Sequence, residues 1–417
     1  ATPLRALDGQ CTRSPQPSRL KLKGVSSKLH ASRFVSMCIG SACAARIPLD
    51  VVTLAGSRLK TLNASPAWQL PDVLAAIADE GALAACRKRV FLGPTELRGG
   101  LTLADIGADG GAVLSVVRVR TRVVSACQSG EAKIWAAAPS GGWTCQRTLE
   151  HSKGCLLRAE FSPDGETVLT ASDDGTAKLW SAASGECRLT LEGHAEAVLS
   201  AEFSPDGRRV VTASEDRTAR VWCAEFGACL LTLAGHEDWV LSASFSGDGQ
   251  AVLTASHDHT AVLWSAISGE RLRILSAHND SVWTARFSPD GREILTASGD
   301  GTAKVFSAAS GDCLRTLDDH GDAVMSAVYS PDGQRMLTAS ADGTAKIWPA
   351  GSGDCLRTLE CHGDWVLSAA FSSDGLWLLT TSHDCTMKIS CATSGDCLHI
   401  LGDENKVMWH ASFSHDS

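Results

Sequence analysis

The sequence is short of several features that would point to common functions. There is no basic excess: 38 Lys and Arg stand against 47 Asp and Glu, a formal charge of −9, which excludes a general polyanion-binding surface and makes nucleic acid an unexpected partner. No apolar run approaches the roughly 18 residues that a membrane-spanning helix needs, so a soluble chain with no membrane partner is expected. No G-x-x-x-x-G-K-S/T, H-E-x-x-H or G-x-S-x-G occurs. Those patterns cradle phosphates, hold a catalytic zinc or expose a nucleophilic serine, so neither enzyme activity nor a cofactor is expected.

What is present is short and punctuated. The 417 residues, 44% of them hydrophobic, provide for two or three folded units at about 100–200 residues each. Apolar runs are broken by Thr-Ala-Ser and Asp-Gly pairs, 38 Gly and 13 Pro, a pattern of strands and tight turns that disfavours a helical fold.

A repeat dominates the second part of the chain. Trp180, Trp222, Trp264, Phe306, Trp348 and Ser390 follow one another at intervals of 42 residues, with Trp135 a further 45 upstream, making seven units. Each reads as four short strands, with turns such as Ser204-Pro205-Asp206-Gly207, and four strands per unit make a propeller blade. Six of the 16 cysteines, Cys145, Cys187, Cys229, Cys313, Cys355 and Cys397, share one 42-residue register. A residue that recurs with a repeat serves the repeat, most simply as a small buried side chain. No disulfide framework or metal site is expected, and the compartment is expected to be reducing, cytoplasmic or nuclear.

Gly193-His194, Gly235-His236, the Asp-x-Thr-x-x-x-Trp turns and the period itself resemble the WD40 repeat family over residues 121–417. The resemblance implies a seven-bladed β-propeller. The family's Asp after Trp is replaced by Ser181, Cys223, Ser265 and Pro349, at a strand end where the fold does not depend on it. From Arg122 to Ser414 is 293 residues, close to seven repeats, so the strand at 407–414 is expected to complete the first blade and remove an open sheet edge. The competing reading is an eighth repeat that ends at Ser417.

Within each blade the family links a Trp, a strand Thr or Ser, a loop His and a turn Asp. Here the complete sets are His194, Thr212, Asp216 and Trp222; His236, Thr254, Asp258 and Trp264; and His320, Thr338, Asp342 and Trp348. The set around Trp180 has Thr170 and Asp174 with His151 displaced by one residue. Phe306 cannot donate, Ser390 is short, and the first blade has Ser129 and Glu404 in place of Asp and His. A His-Asp-Thr set resembles a nucleophilic triad, but a catalytic site is needed once and this constellation recurs around a ring. The structural reading is therefore preferred, since an unpaired buried member costs about 1–3 kcal/mol. His257, His259 and His383 do not supply the four ligands of a structural zinc site.

Positions that vary among near-identical repeats are the informative ones for function. The family's narrow-face positions correspond here to Trp239, Leu241, Trp283, Met325, Trp365, Leu367 and Trp409, with Asp173, Glu215, His257 and His383. Four Trp and a Met at one channel mouth suit a protein or peptide partner with apolar anchors and some basic residues; the alternative is that they merely line the channel.

Residues 49–120 lack the repeat and read as β-β-α-β-β, with the helix near Asp72 to Ala78. Thr53-Leu54-Ala55-Gly56, the run Leu101 to Ile106, and Val117-Arg118-Val119-Arg120 resemble the β-grasp fold of ubiquitin, an α+β unit. The resemblance implies a recognition patch of Leu54, Phe91 and Val116. The family's Gly-Gly tail is replaced by Thr121-Arg122, so conjugation is not expected. Alternatively, Val113–Val119 is the first strand of blade one, because Ala112-Val113-Leu114-Ser115 matches Ala197-Val198-Leu199-Ser200. Residues 1–48, with eight Lys or Arg against one Asp and many Ser, read as a basic unstructured tail or a targeting segment. The expected function is a non-catalytic protein-binding scaffold. The alternatives are a ubiquitin-pathway adaptor and an enzyme with an unrecognised site in the channel.

Overall fold

A computed structural model describes residues 121–138, 142–151, 154–402 and 406–415, and, between 47 and 119, five strands with a few other residues. Residues 1–46 and Glu404, among others, lie outside the described residues.

The first five strands are β1 (Ile47–Thr53), β2 (Arg58–Ala64), β3 (Arg87–Leu92), β4 (Thr95–Leu97) and β5 (Val113–Val119). They form one sheet in the order β2-β1-β5-β3-β4, with β1 and β5 parallel at its centre and antiparallel pairs outside them. Val113–Val119 thus belongs to this sheet and not to the first blade. Of the helix expected near Asp72 to Ala78, Val73 alone is described, and it is helical. Leu54 lies outside the described residues. The register pairs Phe91 with Ser115 and Val90 with Val116. The side chains of Phe91 and Val116 lie outside the described residues.

Residues 122–413 form seven four-stranded antiparallel sheets, the seven blades that the 42-residue period predicts. In blade 3 the strands are Val198–Phe203, Arg209–Ser214, Thr218–Cys223 and Cys229–Ala234, each paired with the next. The turn between the first two is fixed by its residues. Ser204 Oγ donates to Asp206 at 2.5 Å and accepts the Arg209 amide at 2.9 Å, and Gly207 at φ +69° adopts the left-handed conformation that favours glycine.

The apolar core lies between blades and not at the centre of the ring. One cluster joins Val211, Ala213 and Val221 of blade 3 to Val240, Phe245 and Trp264 of blade 4, and the same arrangement recurs at each blade junction. Second strands are almost wholly buried, as in the pattern of Val252 to Ser256, because they have strands on both sides and neighbouring sheets on both faces.

The ring closes through the chain's last strand. Met408–Phe413 pairs antiparallel with Arg122–Cys127, from Met408 opposite Cys127 to Phe413 opposite Val123, and supplies the innermost strand of blade 1 beside Glu131–Ala137 and Trp143–Glu150. Met408–Phe413 is thus a strand of blade 1 and not the opening strand of an eighth blade.

The recurring cysteines differ from expectation. Cys145, Cys187, Cys229, Cys313 and Cys397 are exposed, and Cys355 is half-buried. They stand at or near the start of the outermost strands, and Cys145, Cys187, Cys229, Cys313 and Cys397 pair with the Trp position across the sheet. Beyond an outermost strand there is no further strand or blade to cover its first residues. Periodicity shows that a position is equivalent in every blade, and the layer in which it falls decides its burial.

Candidate functional site: the loop-bearing end of the channel

The hydrogen-bond relays order the loops at one end of the ring. In blade 3, His194 lies 2.7 Å from Asp216 through Nδ1 and 2.7 Å from Thr212 through Nε2, and Trp222 Nε1 donates to Thr212 at 2.8 Å. A carboxylate only accepts, so Nδ1 carries the proton, Nε2 accepts from the Thr212 hydroxyl, and the Thr212 oxygen accepts the indole N–H. Blades 4 and 6 repeat this with His236, Thr254, Asp258 and Trp264 and with His320, Thr338, Asp342 and Trp348.

Two further relays persist without tryptophan. His278 bonds Asp300 and Thr296 at 2.9 and 2.7 Å beneath Phe306, and His362 bonds Asp384 and Thr380, both at 2.9 Å. In blade 2 the ring of His151 is turned over: Nδ1 meets Thr170 at 2.7 Å, and Nε2 meets Thr176 at 3.0 Å with Asp174 at 3.7 Å. Blade 1 keeps two members of the set, Trp135 donating to the strand residue Ser125 at 3.0 Å.

Burial pushes the imidazoles of His194, His278, His320 and His362 below their ordinary range, against the pull of their aspartates, and pushes His151 down to about 4. Burial alone would raise the aspartates, but hydrogen bonds from Thr218 and His194 outweigh it and bring Asp216 to about 2. Asp342 and Asp384 are held at about 2 in the same way. Between the folded and unfolded histidine values the unfolded chain binds more protons, so stability falls as pH drops below about 6.5. The aspartates add a second loss below about pH 4, through their folded values. The melting temperature is therefore expected to fall already between pH 7 and 5; a flat profile across that interval would contradict neutral buried histidines.

The loops held in this way present the variable residues. Trp239 is 45% exposed and Trp365 50% exposed, whereas the relay residues Trp222 and Trp348 are 2% and 0% exposed. Trp239, Leu241, Trp283, Met325, Leu367 and Trp409, with Glu215 and His257, line a central channel of about 780 Å³. Trp365, His383 and Asp173 do not line it. Trp365 sits before its inner strand at the same end, with its ring centroid 6.0 Å from that of His383. Three tryptophans, not four, therefore share the channel lining. Burial and then the like charges of Glu196 and Asp173 raise the Glu215 carboxyl, so acidic groups gather at this mouth.

Deeper in the channel lies a charged cluster. Arg158 is 3.5 Å from Glu160 and 3.7 Å from Glu202, and Arg286 pairs with Glu202. Burial, then the neighbouring Arg158, lowers the Arg286 guanidinium to about 9. His410 Nδ1 donates to the Ala159 carbonyl at 3.0 Å, and burial with the charge of Arg158 holds the ring well below its usual range. The sequence does carry a signal for these residues. The third and fifth places of the inner strands hold Arg158, Glu160, Glu202, Arg286 and His410 where other blades have Ser, Thr, Val or Ala. Variation between repeats marks the channel wall as well as its mouth.

The wall, the relays and the loops all repeat with the blades. Residues 143–181, 185–223, 227–265, 269–307, 311–349 and 353–389 each match the WD domain, G-beta repeat. The chain belongs to the WD40 family. Each matched segment takes in the outermost strand of one blade and ends in the third strand of the next, so a WD40 sequence repeat straddles two blades and ties them together. A 47-residue stretch is 45% identical to WD repeat-containing protein 86 of Homo sapiens, covering 11% of this chain and 12% of that relative.

Proposed function

We propose that the chain is a non-catalytic scaffold that binds a protein or peptide on the loop-bearing end of its propeller. The exposure of Trp239 and Trp365 carries this reading, in a ring whose relay tryptophans are buried. Two large indoles left half in water have no role in the blade cores, and tryptophan is the side chain most enriched where binding energy concentrates. Exposed free cysteines on the blade rims suit a reducing, cytoplasmic setting.

A second reading, a ubiquitin-pathway adaptor, is supported by the sheet of β1–β5, whose first and last strands pair in parallel between two hairpins. One experiment addresses both: capture from native extract with the full chain, beside the Trp239→Ala/Trp365→Ala variant and beside Phe91→Ala. Partners lost with the double tryptophan variant, at an unchanged melting temperature, are the expected result. Capture indifferent to both tryptophans would remove the face assignment, and loss of proteasome or ligase subunits with Phe91→Ala alone would favour the adaptor.

A further inference from the structure

Blades 4 to 7 share one loop scaffold, and two of them carry additions that the other two lack. In all four, an aspartate caps the start of the inner strand: Asp238, Asp280, Asp322 and Asp364 each accept the next residue's amide at 2.7–2.8 Å. In all four, the carbonyl of that next residue accepts an amide from the facing turn at 2.9–3.0 Å, from His257, Gly299, Ala341 and His383. Blades 5 and 6 place Ser281 with Gly299 and Ala323 with Ala341 at these two facing positions. Blades 4 and 7 place Trp239 with His257 and Trp365 with His383.

The two added pairs have nearly the same geometry. Ring centroids are 5.8 Å apart for Trp239 and His257 and 6.0 Å for Trp365 and His383. In each, His Nδ1 stands 3.4 Å from the capping carboxylate, Asp238 or Asp364. A third position changes in step. Gly301 and Gly343 occupy the left-handed region in blades 5 and 6, at φ +81° and +82°, while His259 and Cys385 adopt it at φ +68° in blades 4 and 7. A side chain in that conformation costs free energy that glycine avoids; Arg217 of blade 3 also adopts it, at φ +66°, where Ala197 and Glu215 take the facing positions, so this difference accompanies the two pairs without being confined to them.

We infer that blades 4 and 7 carry two copies of one recognition unit, Trp–His–Asp, which together bind a basic polypeptide segment through two separate arginine or lysine anchors. The inference rests on the proposed use of this end of the propeller and adds the class of partner. An exposed indole face next to a half-exposed carboxylate is the arrangement that attracts a guanidinium or ammonium group. The surroundings have the same sign, with Glu237 between the His236 relay and Asp238, and Asp280 and Asp322 exposed on the blades between the two units. The added side chains fall on blades 4 and 7 and not on neighbouring blades, so a single side chain does not fill both, and a segment with two spaced cationic groups does.

The test is fluorescence anisotropy with the full chain and labelled peptides that carry two arginine pairs joined by Gly-Ser linkers of increasing length. Companion peptides replace one pair by serine or both pairs by leucine. Once the linker spans the two units, the two-pair peptide is expected to bind at least about tenfold more tightly than the one-pair peptide. Trp239→Ala or Trp365→Ala alone should bring it down to the one-pair level, and Asp238→Asn with Asp364→Asn should weaken both arginine peptides. Equal binding of the leucine peptide, indifference to linker length, or no binding of any arginine peptide would overturn the inference. If capture from extract still depends on the two tryptophans in that case, the binding face stands and the cationic class falls; if it does not, both fall.

Discussion

A chain lacking residues 407–417 is expected to lose its cooperative thermal transition and to aggregate. Met408, Ala411 and Phe413 are buried, and Phe413 and Ala411 pack with Val123, Leu379, Met387 and Ile389 at the junction of the last and first blades. Exposing side chains of the size of Met408 and Phe413 costs about 1.5–3 kcal/mol each, a substantial part of the ~5–15 kcal/mol net stability of a folded domain. The deletion also bares the backbone of Arg122–Cys127 along its length, an open edge that templates association. Circular dichroism melting and size-exclusion chromatography report both effects. A synthetic peptide of residues 406–415 added in trans should recover part of the transition by occupying the vacant edge. A truncated chain that melts cooperatively at the native temperature would show that closure is dispensable.

Thr254→Val is expected to be a strongly destabilising change despite its near-identical volume. Thr254 is fully buried, accepts the Trp264 indole N–H at 2.8 Å and meets His236 Nε2 at 2.7 Å. Valine fills the same space and removes the hydroxyl, so two buried polar groups lose their partner at about 1–3 kcal/mol each, on the order of 3–5 kcal/mol in all. Thr296→Val in the next blade supplies the control. Its histidine, His278, stands 2.7 Å away, but Phe306 has no N–H to strand, so about half the loss is expected. Denaturant midpoints of the two variants measure the difference. Equal losses would mean that the indole bond contributes little.

The blade count and the relays of His194, His236 and His320 were legible because a repeat compares a position with itself several times over. Where blades agree, as at Thr212, Thr254 and Thr338, the residue builds the fold; where they differ, as at Trp239 against Ser281, it does not. The same comparison extended to the inner strands marks Arg158 and Arg286. Other features were not legible. The cysteine period says nothing about the layer of the sheet in which the residue stands. The pairing of Phe91 with Ser115 depends on a register that one residue of slip would invert. The relays of His278 and His362 survive without tryptophan because the Thr hydroxyl and the Asp carboxylate suffice to satisfy the imidazole, which the Phe306 and Ser390 substitutions do not reveal.

The sequence by itself determined that this is a ring of seven like units, because a 42-residue period of strands cannot bury its apolar faces except against copies of itself. It also determined which polar residues act together, because their spacing recurs. The sequence also points to the strand at 407–414 as the one that closes the ring, but tertiary structure alone decided its register, Met408 opposite Cys127 to Phe413 opposite Val123, since the two strands are brought together only when all the intervening blades are in place. It alone decided that Trp239 and Trp365 stand in water while Trp222 and Trp348 do not. The same side chain is core where a neighbouring blade covers it and surface where the inner strand has yet to begin.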